Sequence, residues 1–140
     1  MQDGCIFCQI VAGAAPAHVV YEDARILAVL DLFPVAEGHT LIIPKAHAEN
    51  VFEARSEDLA GVMAASKPLA HAIRAAFTPD GLGVYQLNGA AAGQTVFHYH
   101  MHLIPRREGA GLALHSRVQG EADALEAVAV RIREALAGTL

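Results

Sequence analysis

The chain has 140 residues, 54% of them hydrophobic and 18% charged, which is enough for one buried core, short for two domains and too apolar for intrinsic disorder. No apolar run approaches the ~18 residues of a membrane span, and Met1-Gln2-Asp3-Gly4 lacks the basic start of a secretory signal, so one cytoplasmic domain over residues 1–140 is expected, with no membrane partner. A formal net charge of −5 argues against nucleic acid as a partner, because phosphate-tracking surfaces gather Lys and Arg, yet it leaves room for small anions held by a few local groups.

Residues 5–13 read as a short helix closed at Gly13, too short to persist without packing or a ligand. Val19-Val20-Tyr21 and the apolar run 26–30, joined by Glu22-Asp23-Ala24, predict an antiparallel hairpin. A loop over 31–39 contains Pro34 and Gly38, and residues 40–44 form a third strand stopped by Pro44. From Ser56, a candidate N-cap, to Phe77, the residues Leu59, Val62, Met63, Leu69, Ile73 and Phe77 follow helical spacing; Pro68 inside this stretch predicts a kink or a split. Thr78-Pro79-Asp80-Gly81 is turn chemistry. Residues 83–88 and 95–105 predict the fourth and fifth strands around the small-residue loop 89–93, and after an irregular stretch over 106–120 a closing helix covers 121–137. Helix, three strands, helix, two strands and helix together predict an α+β fold with a five-stranded, mainly antiparallel sheet.

The compositional outlier is histidine. There are eight, against two cysteines and no tryptophan, and three crowd into His98-Tyr99-His100-Met101-His102. Alternation along a strand puts the three imidazoles on one face and Tyr99, Met101 and Leu103 on the other, so this strand is half core and half site. Over that span the Cα atoms of His98 and His102 lie ~13 Å apart, too far for all three rings to share one tetrahedral ion easily. A division of labour follows, in which a histidine at one end is structural and the others do chemistry. Neither a P-loop nor a Gly-x-Gly-x-x-Gly turn is present, and no organic cofactor is expected. A neutral imidazole is a competent nucleophile near pH 7.

Residues 93–104, Gly-Gln-Thr-Val-Phe-His-Tyr-His-Met-His-Leu-Ile, resemble the signature of the histidine triad family. The likeness extends to Cys5-Ile6-Phe7-Cys8, to Asp31 with Gly38-His39-Thr40 and Ile43-Pro44-Lys45, and to Asn88. It implies a homodimer that attacks the α-phosphate of a purine nucleotide through the middle histidine, His100, releasing a nucleoside monophosphate. By the same resemblance His102 and His39 flank the phosphate, and Gln94 and Thr95 donate near the leaving group. Asn88 binds phosphate or ribose, Asp31 accepts from the ribose hydroxyls, and Phe7, Ile10 and Leu32 form a slot for the base. The leaving group stays open between a phosphoramidate and a dinucleoside polyphosphate. A zinc-stabilised nucleotide-binding adaptor with little turnover is the competing function.

Cys5-x-x-Cys8 by itself allows a redox pair, half a zinc site or two core thiols. The order of elements lacks the βαβ context of a redox dithiol, and a zinc site needs two further ligands. The resemblance supplies them as His47 and His98, making structural Zn2+ the expected cofactor. His18, His71 and His115 have no assigned role. Arg106 and Arg107 either meet a polyphosphate or are solvated.

Overall fold

The sheet and its helices fall in the order α1 (Ile6–Val11), β1 (Val19–Glu22), β2 (Ile26–Leu30), β3 (Thr40–Pro44), α2 (Ser56–Phe77), β4 (Gly81–Tyr85), β5 (Met101–Arg106) and α3 (Ala122–Thr139), with a 3-10 turn at Ala90–Ala92. This is a computed structural model, and it describes residues 2 and 4–139. All five strands pair antiparallel, in the order β1-β2-β3-β5-β4, which is the α+β sheet the sequence predicts.

Local chemistry sets the ends of the elements. Cys5 Sγ caps α1 by accepting from the Cys8 amide at 3.4 Å. Gly13, at φ +77°, turns the chain out of that helix: its amide donates to Ile10 and the Ala14 amide to Gln9, the paired bonds of a Schellman motif. In the β1–β2 turn Asp23 Oδ1 accepts from the amides of Arg25 and Ile26, both at 2.8 Å. The Glu121 carboxylate accepts from the amides of Asp123 and Ala124 at the start of α3.

Strands β2 and β3 are buried along their whole length, as continuous apolar runs covered on both faces should be. Ile26, Ala28, Leu30 and Ile42 pack with Val62, Leu69 and Ile73 of α2 and Ala129 and Ile132 of α3. The alternate residues Leu27, Val29, Leu41 and Ile43 pack with Phe7 of α1. Each such aliphatic side chain contributes about 1.5–3 kcal/mol on burial, so α1 is held by tertiary contact rather than by its own length.

The structure departs from the sequence reading in four places. Helix α2 runs unbroken through Pro68, because the apolar stripe on both sides of the proline stays docked in the core and offsets one missing hydrogen bond. Its N-cap is Arg55, with no side-chain bond, rather than Ser56. Strand β4 begins at Gly81 and ends at Tyr85, before Gln86 and Asn88, whose side-chain amides clasp each other at 2.8 Å in both directions. Strand β5 begins at Met101 rather than at residue 95. The register pairs Ile42 with Met101, and two residues along β3 stands Pro44, which has no amide to give. Its carbonyl is taken by the His98 ring at 2.7 Å, and the Tyr99 amide turns to Ala48 instead.

Candidate functional site

Although His98 and His100 precede β5, the alternation survives. Tyr99, Met101 and Leu103 enter the core beneath the helices, while the histidine rings meet Phe7 on the α1 side. Ring centroids step from Phe7 to His100 at 5.0 Å, His100 to His102 at 5.0 Å and His102 to His115 at 6.0 Å, with Phe7 also 5.8 Å from His98. A buried phenylalanine on a short helix thus fixes the orientation of the first two triad rings.

Hydrogen bonds assign the tautomers. His100 Nδ1–H donates to the His98 carbonyl at 2.7 Å, so Nε2 keeps its lone pair. The Val35 amide donates to His39 Nδ1 at 3.1 Å; His39 therefore carries its proton on Nε2 and donates to His102 Nδ1 at 2.9 Å. His102 in turn must carry its proton on Nε2, and that nitrogen is one of two buried side-chain nitrogens without a partner among the described residues, the other being Arg106 Nε. A buried donor left unbonded costs about 1–3 kcal/mol, which a ligand acceptor would recover.

Burial disfavours the charged imidazoles. Desolvation, with Arg106 and neighbouring imidazoles adding to it, holds His39 down at about 4, and desolvation with the charges of His100 and His39 holds His102 at about 3. The same desolvation lowers His100 against the opposing bond to the His98 carbonyl. All three stay neutral at pH 7, which the hydrogen-bond chain requires. Burial pushes the Asp31 carboxyl up; its Oδ1 accepts from the Phe33 amide at 2.9 Å and its Oδ2 lies 3.4 Å from His39 Nε2. Asp31, His39 and His102 offer metal-type ligand atoms within 4.8 Å of one another. Their 2.9 Å nitrogen pair is closer than the about 3.3 Å between two nitrogens on one tetrahedral zinc, and a proton between them accounts for it.

His100 and His102 open onto a cleft of ≈ 530 Å³ that Phe7, Ile10, Asp31, Leu32 and Thr95 also line. Seven of the sequence-predicted residues therefore meet in one cavity with an apolar wall and a polar floor. Three do not line it. His39 is 1% exposed and stands behind His102, to which it is hydrogen-bonded. Gln94 spends its amide inside the chain, accepting from Gly89 at 2.7 Å and donating to Glu49 and Val96. Asn88 accepts from the Val51 amide at 2.8 Å and pairs with Gln86. Both amides build the loop that presents Thr95 and the triad.

His115, Ser116 and Arg117 line the same cleft. They lie in the irregular stretch after β5, which carries no periodicity to mark them. His18 pairs with Glu126 at 2.9 Å. Arg106 holds the carbonyls of Gly111 and Ala113, and Arg107 those of Phe77 and Thr78, so neither arginine is a free cation over the site.

Beside the cleft, Cys5, Cys8, His47 and His98 place their ligand atoms within 4.8 Å of one another. The spacings are 3.2 Å for the two Nδ1 atoms, 3.4 Å for Cys5 Sγ to His98 Nδ1, and 3.4 and 3.6 Å from Cys8 Sγ to His47 and His98 Nδ1. Tetrahedral zinc with ordinary bond lengths requires about 3.3 Å between nitrogens and about 3.5 Å between nitrogen and sulfur. His98 Nε2–H is committed to Pro44, which leaves the Nδ1 lone pair for a metal. Donor set and spacing are those of a zinc site.

Residues 12–109 match the HIT domain family. The chain belongs to that family. It is 52% identical over 104 residues to Protein hit of Bacillus subtilis, covering 74% of this chain and 72% of that one. It is 40% identical over 108 residues to adenylylsulfatase HINT3 of Arabidopsis thaliana, covering 77% of this chain and 55% of that one. Among solved structures, this HIT protein superposes on a Hit-like protein of Bartonella henselae with a TM-score of 0.88 at 39% identity, covering 96% of this chain and 97% of that one. A zinc-bound histidine triad protein of Mycobacterium smegmatis gives 0.85 at 39%, covering 97% and 95%. A histidine triad nucleotide-binding protein of Sulfolobus tokodaii gives 0.87 at 37%, covering 96% and 93%. HIT proteins form a superfamily of nucleotide-binding proteins and nucleotide hydrolases. No helix among the described residues is long and apolar enough to cross a membrane.

Proposed function

We propose that this HIT protein is a nucleotidyl-transferring hydrolase that acts at the α-phosphate of a nucleoside phosphoramidate or dinucleoside polyphosphate. The observation that carries the reading is the pairing of a lone pair on His100 Nε2 with an unpartnered donor on His102 Nε2, side by side over a nucleotide-sized cleft. His100 Nε2 forms a bond to phosphorus as the bond from phosphorus to the leaving group breaks, and the leaving group takes the electron pair, leaving as a phosphate anion or, where it is an amine, with a proton from solvent. Water then attacks phosphorus and gives up a proton to solvent, the N–P bond breaks, its pair returns to Nε2 and a nucleoside monophosphate departs. His102 Nε2–H donates to a phosphoryl oxygen as negative charge grows there, a contact worth about 2.7–4 kcal/mol when made in the transition state. His39 acts through His102 by holding its tautomer. Phe7, Ile10 and Leu32 take the base and Asp31 the ribose hydroxyls.

Zn2+ fits the Cys5, Cys8, His47 and His98 set, and a closed four-ligand site is structural. It would tie α1 and the residues after β3 to the backbone that bears His100. Residues 1–140 act as one HIT domain. A homodimer is supported by the position of β4, an edge strand with Val84 49% exposed and ready to pair with another chain.

A panel of adenosine and guanosine phosphoramidates beside dinucleoside polyphosphates, run on wild type and His100→Ala, tests the activity. Wild type should release nucleoside monophosphate, and the variant should lose several orders of magnitude in kcat with binding largely kept. Equal turnover in both proteins, or none in wild type on any substrate, overturns the reading.

A further inference from the structure

The stretch after β5 returns along the wall of the cleft as a strap pinned at both ends. Arg106 Nη2 donates to the Ala113 carbonyl at 2.7 Å, and the Gly120 amide donates to the Leu32 carbonyl at 2.7 Å. Between these anchors His115, Ser116 and Arg117 line the cavity. The rings step from Phe7 through His100 and His102 to His115, so His115 stands at the end of that series away from the apolar wall that Phe7 begins. Its Nε2–H donates to the Gly93 carbonyl at 2.9 Å, which ties the strap to the loop that carries Thr95. The Arg117 guanidinium has no hydrogen bond or ion pair among the described residues.

We propose that His115 and Arg117 form the leaving-group subsite of this protein, selecting substrates whose departing portion is an anion carrying phosphate oxygens over those that release an uncharged amine. This rests on the nucleotidyl-transfer reading for the position of the α-phosphate. An α-phosphate bonded to His102 Nε2 lies next to His115 in the ring series, and the next phosphate of a polyphosphate chain extends toward the strap. A guanidinium makes paired, charge-assisted bonds to phosphate oxygens, and His115, bonded through Nε2–H to Gly93, holds the strap that presents it. An amine leaving group offers that guanidinium no acceptor, so removing either residue should separate two substrate classes that share the same nucleotide.

The test measures binding in the His100→Ala background, so turnover does not interfere, with adenosine monophosphate and diadenosine triphosphate as probes in isothermal titration. Adding His115→Ala or Arg117→Ala should raise the Kd for diadenosine triphosphate roughly 10-fold, the scale of one charge-assisted hydrogen bond, and leave that for adenosine monophosphate unchanged. Arg117→Lys, which keeps the charge but not the paired bonds, should recover only part of the loss. With His100 restored, kcat/KM for diadenosine triphosphate should fall by a similar factor while that for an adenosine phosphoramidate holds. Equal weakening of both probes, or of neither, overturns the subsite. Absence of turnover in wild type counts against the nucleotidyl-transfer reading alone, because the binding comparison is read without it.

Discussion

Replacing His39 tests whether the buried ring acts by setting the tautomer of His102. The ring is 1% exposed, accepts from the Val35 amide at 3.1 Å and donates to His102 at 2.9 Å. His39→Ala would strand both partners, at about 1–3 kcal/mol each, a large share of the ~5–15 kcal/mol that holds a domain folded. Two milder variants divide the bonds. His39→Asn places an amide oxygen near the Nδ1 position and keeps the acceptor for Val35, while His39→Gln reaches the Nε2 position and keeps a donor to His102. Without that donor His102 is free to carry its proton on Nδ1, and the oxyanion-type donor on Nε2 is lost, which corresponds to about 10²–10³ in kcat. Steady-state kinetics on a nucleoside phosphoramidate should therefore show kcat falling at least a hundredfold in His39→Asn and within about tenfold of wild type in His39→Gln, with nitrogen NMR reporting the His102 tautomer in each. Equal kcat in the two variants, or an unshifted tautomer in His39→Asn, would refute the relay.

Acid should weaken the fold through the same rings: with folded values of about 4 for His39 and about 3 for His102 against about 6.5 unfolded, the unfolded chain binds more protons below pH 6.5. Stability is lost as pH falls through that window, by about 2 kcal/mol per ring between pH 7 and 5; urea unfolding should show wild type losing about that much more than His39→Gln, and equal losses would count against the buried neutral rings. Metal analysis should find one zinc per chain, absent from Cys5→Ser/Cys8→Ser together with roughly 10 °C of Tm, the shift expected for about 3–4 kcal/mol of binding linkage in a chain of this size; a metal-free wild type purified without chelator would remove the zinc proposal. Gly38 sits at φ +94°, where an added Cβ would lie 3.1 Å from the Phe77 ring and 3.3 Å from Pro105, so Gly38→Ala should cost about 1–3 kcal/mol in urea unfolding, and an unchanged midpoint would contradict that. Val84→Lys should convert a dimer to a monomer by light scattering if β4 is the pairing edge; an unchanged mass would place the interface elsewhere.

Periodicity made much of this legible in advance. The stripe from Val62 to Phe77 located α2, the apolar runs located β2 and β3, and the alternation through residues 98–103 separated core side chains from site side chains. What the sequence does not show depends on partners distant in the chain. A β5 beginning at residue 95 was a fair reading of Thr95-Val96-Phe97, but Pro44 lies opposite and offers no amide, so the ladder stops at Met101. The resemblance placed His39 beside a phosphate; only the fold reveals that Val35 and His102 occupy both of its nitrogens. The resemblance implies ligand contacts for Gln94 and Asn88, and in the structure both side-chain amides bond within the chain and shape the loop before the triad. His115 and Arg117 were invisible because irregular chain has no period, and only the anchors at Ala113 and Gly120 bring them to the cleft.

The central claim is that His100 becomes covalently bonded to phosphorus, and the stereochemical course of hydrolysis measures this most directly. A substrate with a chiral phosphorothioate at the α-position, hydrolysed in isotopically labelled water, undergoes one in-line displacement if water attacks directly and two if His100 attacks first. Net retention of configuration at phosphorus is the predicted result, and net inversion would contradict the account.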